Sequence, residues 1–597
     1  MTTSLNLSEA WLIDLPFREG SYASNWASQN LALSVTIISV LLASLYWAAL
    51  PKPLAGIPYT RKSRWQLFGD AFDFVNYSKE TGEGFRWFAT KAAELQSPIF
   101  QVFLAPLSKP IVVVTDIQEI IDMSTRRARE FDRGGFLTGW VGILFPEGTI
   151  SMPSHDKFKD QRNIWSSTMT SQFLNSVSAK TIHKHTVSLV NLWSTKVQLA
   201  NGRPFEVSDD LKQVTFDMVR APLFPLFTAC TLIRSQIWSA STGDDLGLIT
   251  RRIKAAAATS NAVNDESRDK AVKFQGPTDL PEIVDACEVL VEHLKNMRGS
   301  VWLAATKLWV WMTPSWKKAW NIKEEVMIKL VEESSSKFGE AQCAMDEVIK
   351  RSNLLGSKGR KSSSHREMVD ETFSYIVGGH ETTQDTTKWS MKYLTANQDK
   401  QSKLREALLE IWPNANAHNL PSYQEIIASE HPYVEASIQE LIRIALTAPS
   451  WTRRTTQDVI VLGHRIPAGI DVFGAPSVQS IEDMDDFVID PTIRSATSKQ
   501  REAGKWDRAT KGLYQPERWL DENGKYDAYA GPMLPFGAGP RGCFGQRLAR
   551  MELRMMIIML VLSFEFNPIP EEYSSFRPEE VINRGPHITY IRPVLRA

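Results

Sequence analysis

The chain has 597 residues, with 68 basic side chains against 68 acidic ones, so its formal net charge is zero. A nucleic-acid binder would carry a basic excess, and no nucleic acid is expected as a partner. With 43% hydrophobic and 23% charged residues the chain is folded rather than disordered, and four scattered cysteines (Cys230, Cys287, Cys343, Cys543), none in a CxxC pair, exclude a disulfide-built scaffold, a zinc ribbon and a thioredoxin-like site.

Residues 1–30 carry Glu9, Asp14 and Glu19 against Arg18, and the sequon Asn6-Leu7-Ser8, an N-glycosylation acceptor on a lumenal segment. Leu31 to Leu50 (LALSVTIISVLLASLYWAAL) holds no charge. Twenty residues at a helical rise span about 30 Å, one hydrocarbon thickness, which predicts a single transmembrane helix. Lys52, Arg61, Lys62 and Arg64 follow with no acid among 51–64. The positive-inside rule therefore places 1–30 in the lumen and the C-terminal bulk in the cytosol. Residues 51–60 read as a stiff proline-rich linker and 61–597 as one large domain. Nothing in 1–50 is expected to belong to the core.

Beyond residue 60 helical periodicity dominates. Strand-like runs are few: 110–116 (PIVVVTD), and 458–474, where two short strands flank a turn at Gly463–His464 before a second turn at Pro467–Gly469. Polar stretches at 353–367 and 494–512 read as mobile loops. The expected class is mainly α with small β-sheets. Residues 371–394 (ETFSYIVGGHETTQDTTKWSMKYL) predict a long helix with Gly378 and Gly379 in its middle. Each mid-helix glycine costs about 1 kcal/mol relative to alanine, so the pair needs a reason. Glu440 and Arg443, in EASIQELIRIAL, share a helix face, a pairing worth only about 0.2–0.5 kcal/mol by itself.

The strongest local signal is FGAGPRGCFGQRLAR, residues 536–550. Cys543 lies in a glycine-rich loop leading into a helix with an apolar stripe of Leu548, Met551, Met555, Ile558 and Leu562; Arg547, Arg550 and Arg554 occupy another face. The helix N-terminus is expected to favour thiolate over thiol. Gly537, Gly539, Gly542 and Gly545 clear side chains for a flat ligand and let backbone amides point at the sulfur. A soft thiolate there suits iron, haem iron in particular, whereas a lone cysteine is otherwise most often a small buried hydrophobe.

Phe536, Gly539, Arg541, Cys543 and Gly545 spell F-x-x-G-x-R-x-C-x-G, which resembles the haem-binding loop of the cytochrome P450 family. Other landmarks stand upstream in order: G-G-x-E-T at 378–382, E-x-x-R at 440–443, and YQPERW at 514–519, whose Arg518 lies 25 residues ahead of Cys543. The resemblance implies the cytochrome P450 fold, haem b as cofactor, and Cys543 as axial ligand of its iron. It makes Glu440, Arg443 and Arg518 a structural triad that locks the loop. It gives Thr382 a hydroxyl role in dioxygen activation and Glu381 a proton route to bulk water. The competing reading of Thr382 is a bond to its own i−4 carbonyl. For the haem propionates the resemblance offers Arg541, Arg453 (with Arg454 competing) and Arg162, the arginine of a W-x-x-x-R pattern in which Phe158 replaces the tryptophan. Residues 133–150, the segment 220–310, in which no motif is legible, and Leu446 to Pro449 are expected to shape the substrate pocket.

By this resemblance the chain would be a single-pass enzyme of the endoplasmic reticulum membrane with its catalytic domain cytosolic. It would be a monooxygenase, hydroxylating or otherwise oxidising a hydrophobic small molecule with O2. Electrons would come from NADPH through NADPH–cytochrome P450 reductase, a separate protein, since no flavin or nicotinamide motif is legible and 54 residues follow Cys543. Arg547, Arg550 and Arg554 are candidates for its docking face, or merely a solvated helix face. The wording of PERW and GPRGCFGQRLA is most similar to microsomal enzymes of filamentous fungi that tailor secondary metabolites. The alternatives are a haem-thiolate isomerase or dehydratase that does not use O2, against which Glu381 and Thr382 argue, oxidation of fatty acids or xenobiotics, and a non-enzymatic haem sensor or membrane scaffold.

Overall fold

The computed structural model describes residues 20–223, 255, 269–276, 282–297, 300, 303–335, 343–357, 363–475, 487–500, 504–580 and 582–596. Asn6, Cys230 and much of 220–310 lie outside them. The first helix is Gly20–Ala49. Among the described residues no helix is long and apolar enough to cross a membrane. The unbroken run of described side chains in the first helix is 33–49, about 25 Å of helical rise, and its Leu45 and Trp47 are 65% and 64% exposed. Its end does join the body, contrary to expectation. Leu50 is buried, the Leu107 amide donates to the Ala49 carbonyl at 3.4 Å, and the Tyr46 hydroxyl donates to the Trp65 carbonyl at 3.1 Å.

The body is organised around the helix His365–Ala396. It starts six residues earlier than the apolar pattern suggests, because Ser364 and Glu367 form a capping box that satisfies two amide donors. Together with the helix Ala344–Ser357, this makes 353–357 and 365–367 of the expected loop helical, while 358–362 lie outside the described residues. The expected loop at 494–512, of which 501–503 lie outside the described residues, is anchored at its start: Arg494 pairs with Asp116 at 2.7 Å, and the Ser495 and Thr497 hydroxyls both donate to Asp122 at 2.8 Å.

The central helix passes from one core to another. Its N-terminal half (Phe373, Ile376, Val377) packs with the helices Glu282–Met297 and Pro314–Ser335. Its C-terminal half (Met391, Leu394) packs with Leu553, Met556 and Leu560 of the helix Gln546–Ser563. Gly378 and Gly379 fall between the two, beside a large cavity.

The strands form small sheets, as expected. The largest runs Ile99–Val102, Ile111–Val114, Asp471–Gly474, Trp451–Thr455, Phe131–Asp132, antiparallel except for Ile111–Val114 against Asp471–Gly474. Val459–Val461 and His464–Ile466 form a hairpin turning on Leu462 and Gly463, both at positive φ (46° and 78°), one residue earlier than expected.

Candidate functional site

A cavity of about 1200 Å³ opens between the central helix, the Cys543 loop and the largest sheet. This exceeds the roughly 300–1,000 Å³ of a pocket for one drug-sized ligand, so there is room for a large cofactor and a substrate together.

The Cys543 amide donates to the Phe536 carbonyl at 2.7 Å, which closes the loop into a tight turn. Gly537 and Gly539 have φ of +64° and +67°, and a Cβ on Gly539 would lie 1.8 Å from the Ser124 carbonyl oxygen. Gly545 meets nothing within 4 Å, so its lost side chain leaves open space on the cavity side. Cys543 is exposed and lines the cavity. Burial raises its thiol pKa, while the Gly545 amide and the Arg162 charge pull it down.

Arg133, Arg162, Arg453 and Arg541 all line the cavity. Burial lowers Arg133 to about 9, with Arg453 adding repulsion; Arg541 falls to about 9 through burial and Arg133; Arg453 falls to about 10 through burial and Arg541. Asp132 is the carboxylate that offsets them, 3.5 Å from Arg541. Alternation along Trp451–Thr455 distinguishes the neighbours. Arg453 is buried, whereas Arg454, which also lines the cavity, is exposed and already paired with Asp471 at 2.7 Å and 2.9 Å. Arg541 donates to Ser154 Oγ and to the Thr149 and Met152 carbonyls, and its guanidinium lies 3.6 Å from the centroid of Phe158. The phenylalanine thus supplies a ring face where a tryptophan would have donated a hydrogen bond. Arg162 lies over Phe544 and donates to the Gly542 carbonyl.

On the opposite wall, Gly378 faces open space, whereas a Cβ on Gly379 would meet Val219 at 2.9 Å. The glycine pair therefore has two causes: one residue opens the cavity and the other admits the helix Ser208–Leu223. The Thr382 hydroxyl donates to the Gly378 carbonyl at 2.9 Å, the i−4 bond weighed against its catalytic reading; both of its lone pairs stay available as acceptors. Burial and then Asp385 raise Glu381 to about 7. Thr383 donates to Glu552 at 2.9 Å, a carboxyl that burial raises to about 8.

Behind the loop, Glu440 accepts from Arg443 Nε (2.7 Å) and a second Arg443 nitrogen (2.8 Å), from Arg518 Nε (2.9 Å), from Trp519 Nε1 (2.8 Å) and from the Gln515 amide (3.0 Å). Both guanidiniums lie over Trp506. The three residues named from the sequence are brought together; the two tryptophans were missed. All three arginines proposed for docking have partners within the chain. Arg550 donates to Gln439 at 2.7 Å, Arg554 pairs with Glu435, and Arg547, the exposed one, donates to the Met169 carbonyl at 3.4 Å. Thr447, Ala448 and Pro449 line the cavity, but Leu446 does not; it caps its helix at φ 47°.

The sequence model of the family described as Cytochrome P450 matches residues 256–480 and 501–589. The cytochrome P450 monooxygenase GME11363 of Pestalotiopsis microspora is 34% identical over 593 residues, 94% of this chain and 97% of that one. The chain belongs to the cytochrome P450 family. The cytochrome P450 monooxygenase TRI13 of Fusarium sporotrichioides is 29% identical, covering 94% of this chain and 98% of its own. A solved cytochrome P450DA haem domain superposes with a TM-score of 0.62 at 14% identity, over 92% of this chain and 98% of that one. As a cytochrome P450, the protein is a haem monooxygenase, and the cavity fits the cofactor. A cluster of four guanidiniums on one cavity, with Arg453 buried and a buried Arg133 Nε unpartnered, calls for an anion, and the two carboxylates of a haem b supply it opposite a thiol. Arg133 was not legible as a site residue, since a lone arginine in an irregular segment carries no periodic or motif signal.

Proposed function

We propose that the protein is a microsomal monooxygenase that inserts one oxygen atom of O2 into a hydrophobic small molecule of fungal secondary metabolism. Two electrons would come from NADPH through a separate NADPH–cytochrome P450 reductase. The observation that carries this reading is the convergence of Cys543, four guanidiniums and the open Gly378–Thr382 wall on one cavity. When bound, the haem supplies an iron centre at which dioxygen is activated. Cys543 would ligate that iron, and Arg133, Arg162, Arg453 and Arg541 would hold the propionates. Phe72, Phe145, Trp140, Leu303 and Pro449 give the remaining space an apolar lining that favours substrates without charge. The near-neutral Glu381 can both take and give a proton at working pH, and Thr382 would orient it.

The test measures product and hydrogen peroxide per NADPH with purified reductase. Thr382→Ala is expected to keep haem and carbon monoxide binding while oxygen leaves as peroxide; a positioned proton-transfer group is worth about 10²–10⁴ in rate. Thr383→Ala would instead strip Glu552 of its hydroxyl partner and cost about 1–3 kcal/mol of stability, with coupling less affected. A Thr382→Ala enzyme as coupled as its parent sinks the relay role.

The same reading places the protein as a single-pass protein in the endoplasmic reticulum membrane, in contact with lipid. The apolar run Leu31 to Leu50 supports it, as do the exposed Leu308, Trp309 and Met312 on the helix Leu303–Met312, side chains suited to a membrane interface. On sealed microsomes, external protease is expected to degrade the bulk of the chain. Protection of that bulk would overturn the cytosolic orientation.

A further inference from the structure

Asp385 lies one helical turn beyond Glu381 on the same face of His365–Ala396, and it is neither a cavity-lining residue nor part of the triad. We propose that Asp385 is a second carboxyl in the proton path, standing between solvent and Glu381. This rests on the monooxygenase reading above and adds a positioning residue to it.

Three observations carry the inference. First, Asp385 is placed where the inside meets the outside: 16% of its side chain is exposed, while Glu381 lines the cavity. Second, the backbone has been cleared for it. The strand Arg584–Pro586 crosses the helix here, and a Cβ on Gly585 would lie 2.6 Å from Asp385 Oδ1, so only glycine lets the carboxyl keep its position. Third, the pair is electrostatically coupled. After burial, Asp385 is the largest influence raising Glu381, and burial raises Asp385 as well.

The other charges that face the pair come from every side. Lys388 lies 3.2 Å from Asp385 on the central helix. Lys212, on Ser208–Leu223, pairs with Glu288. Lys295, on Glu282–Met297, pairs with Glu292 at 3.4 Å, and Cys287 of that helix faces Glu381. Glu579, on Pro578–Glu580, pairs with His587 at 3.4 Å. Three lysines keep one negative charge on the dyad inexpensive, while mutual repulsion disfavours two.

The step is a proton transfer alone. A hydronium ion of the bulk gives a proton to the Asp385 carboxylate and leaves as water. The proton passes to the Glu381 carboxylate through one bridging water, since i,i+4 side chains start about 5–6 Å apart at Cβ. Asp385 is left anionic for the next proton, and no electron moves.

Asp385→Asn, Asp385→Glu and Glu381→Gln are compared with the parent holoenzyme. Infrared titration of the carboxyl band that Glu381→Gln removes gives the protonation midpoint of Glu381, a readout that needs no turnover. In Asp385→Asn that midpoint is expected to fall by about one pH unit, because a nearby like charge is gone. Product per NADPH is expected to fall at least several-fold, the solvent hydrogen isotope effect on product formation to rise, and Asp385→Glu to restore both. The carbon monoxide-bound spectrum stays that of the parent, so any loss is not misfolding. An unmoved midpoint overturns the proposal, as does Asp385→Asn coupling equal to the parent's. If the parent itself consumes NADPH without product, the monooxygenase reading fails, and the midpoint still decides whether the carboxyls form a pair.

Discussion

Cys543→Ala is expected to abolish the thiolate-type red-shifted Soret band of the reduced, carbon monoxide-bound protein. The loop puts one sulfur on the cavity, held by a 2.7 Å bond from its own amide to the Phe536 carbonyl, and no other described cysteine lines that cavity. Cys287 and Cys343 are buried in apolar surroundings that push both thiols up to about 12, so neither presents a thiolate. Without Cys543 to hold it the haem would bind weakly, and the protein would lose the stabilisation that a bound cofactor confers by mass action, about 2.7 kcal/mol even when ligand stands at only a hundred times its dissociation constant. Cys543→Ala should therefore also melt earlier. Cys343→Ala is the control for loss of a buried sulfur: it should cost stability while leaving the band in place. Replacement of Cys230 or Cys287 should likewise keep it. A red-shifted band in Cys543→Ala would remove the residue from the site.

Glu440→Ala is expected to destabilise the fold by about 3–5 kcal/mol, the usual cost of leaving a buried charge without its partner. Glu440 accepts five hydrogen bonds and is fully buried, while Arg443 is 2% exposed and Arg518 stands beside it. Removing the carboxylate leaves two stacked guanidiniums repelling one another in an apolar setting with Trp506 and Trp519. Against a typical total of about 5–15 kcal/mol, that is a large share of the stability. Equilibrium denaturation of the holoprotein, read by both fluorescence and haem absorbance, measures it. The comparison is Glu435→Ala, whose pairing with Arg554 is partly exposed and worth under about 1 kcal/mol. A Glu440→Ala loss as small as that of Glu435→Ala would show the network to be dispensable. Haem release is expected to accompany unfolding, because the network holds Gln515 and Arg518 in the segment that runs toward the Cys543 loop.

Much of the site was legible because its parts are local. The Cys543 loop, the glycine pair ahead of Glu381 and Thr382, and the E-x-x-R spacing are short patterns whose backbone demands, positive φ, a missing Cβ or a shared helix face, are written in adjacent residues. The apolar periodicities likewise announced a mainly helical chain with small sheets. What tertiary structure decided were choices between neighbours and partners distant in sequence. Arg453 is buried and unpaired by acid among the described residues while Arg454 is held by Asp471, because the strand pairs with Asp471–Gly474 in one register and alternation does the rest. Gly379 is required not by a cofactor but by Val219, some 160 residues earlier. Arg133, Glu552 and Asp385 carry no motif. Their environments come from burial, from like charges gathered by the fold, and from the approach of the strand Arg584–Pro586, and sequence spacing contains none of these. Local sequence thus determined which residues can do this chemistry, while long-range packing determined which of them face one another, since desolvation and charge coupling depend on distance in space.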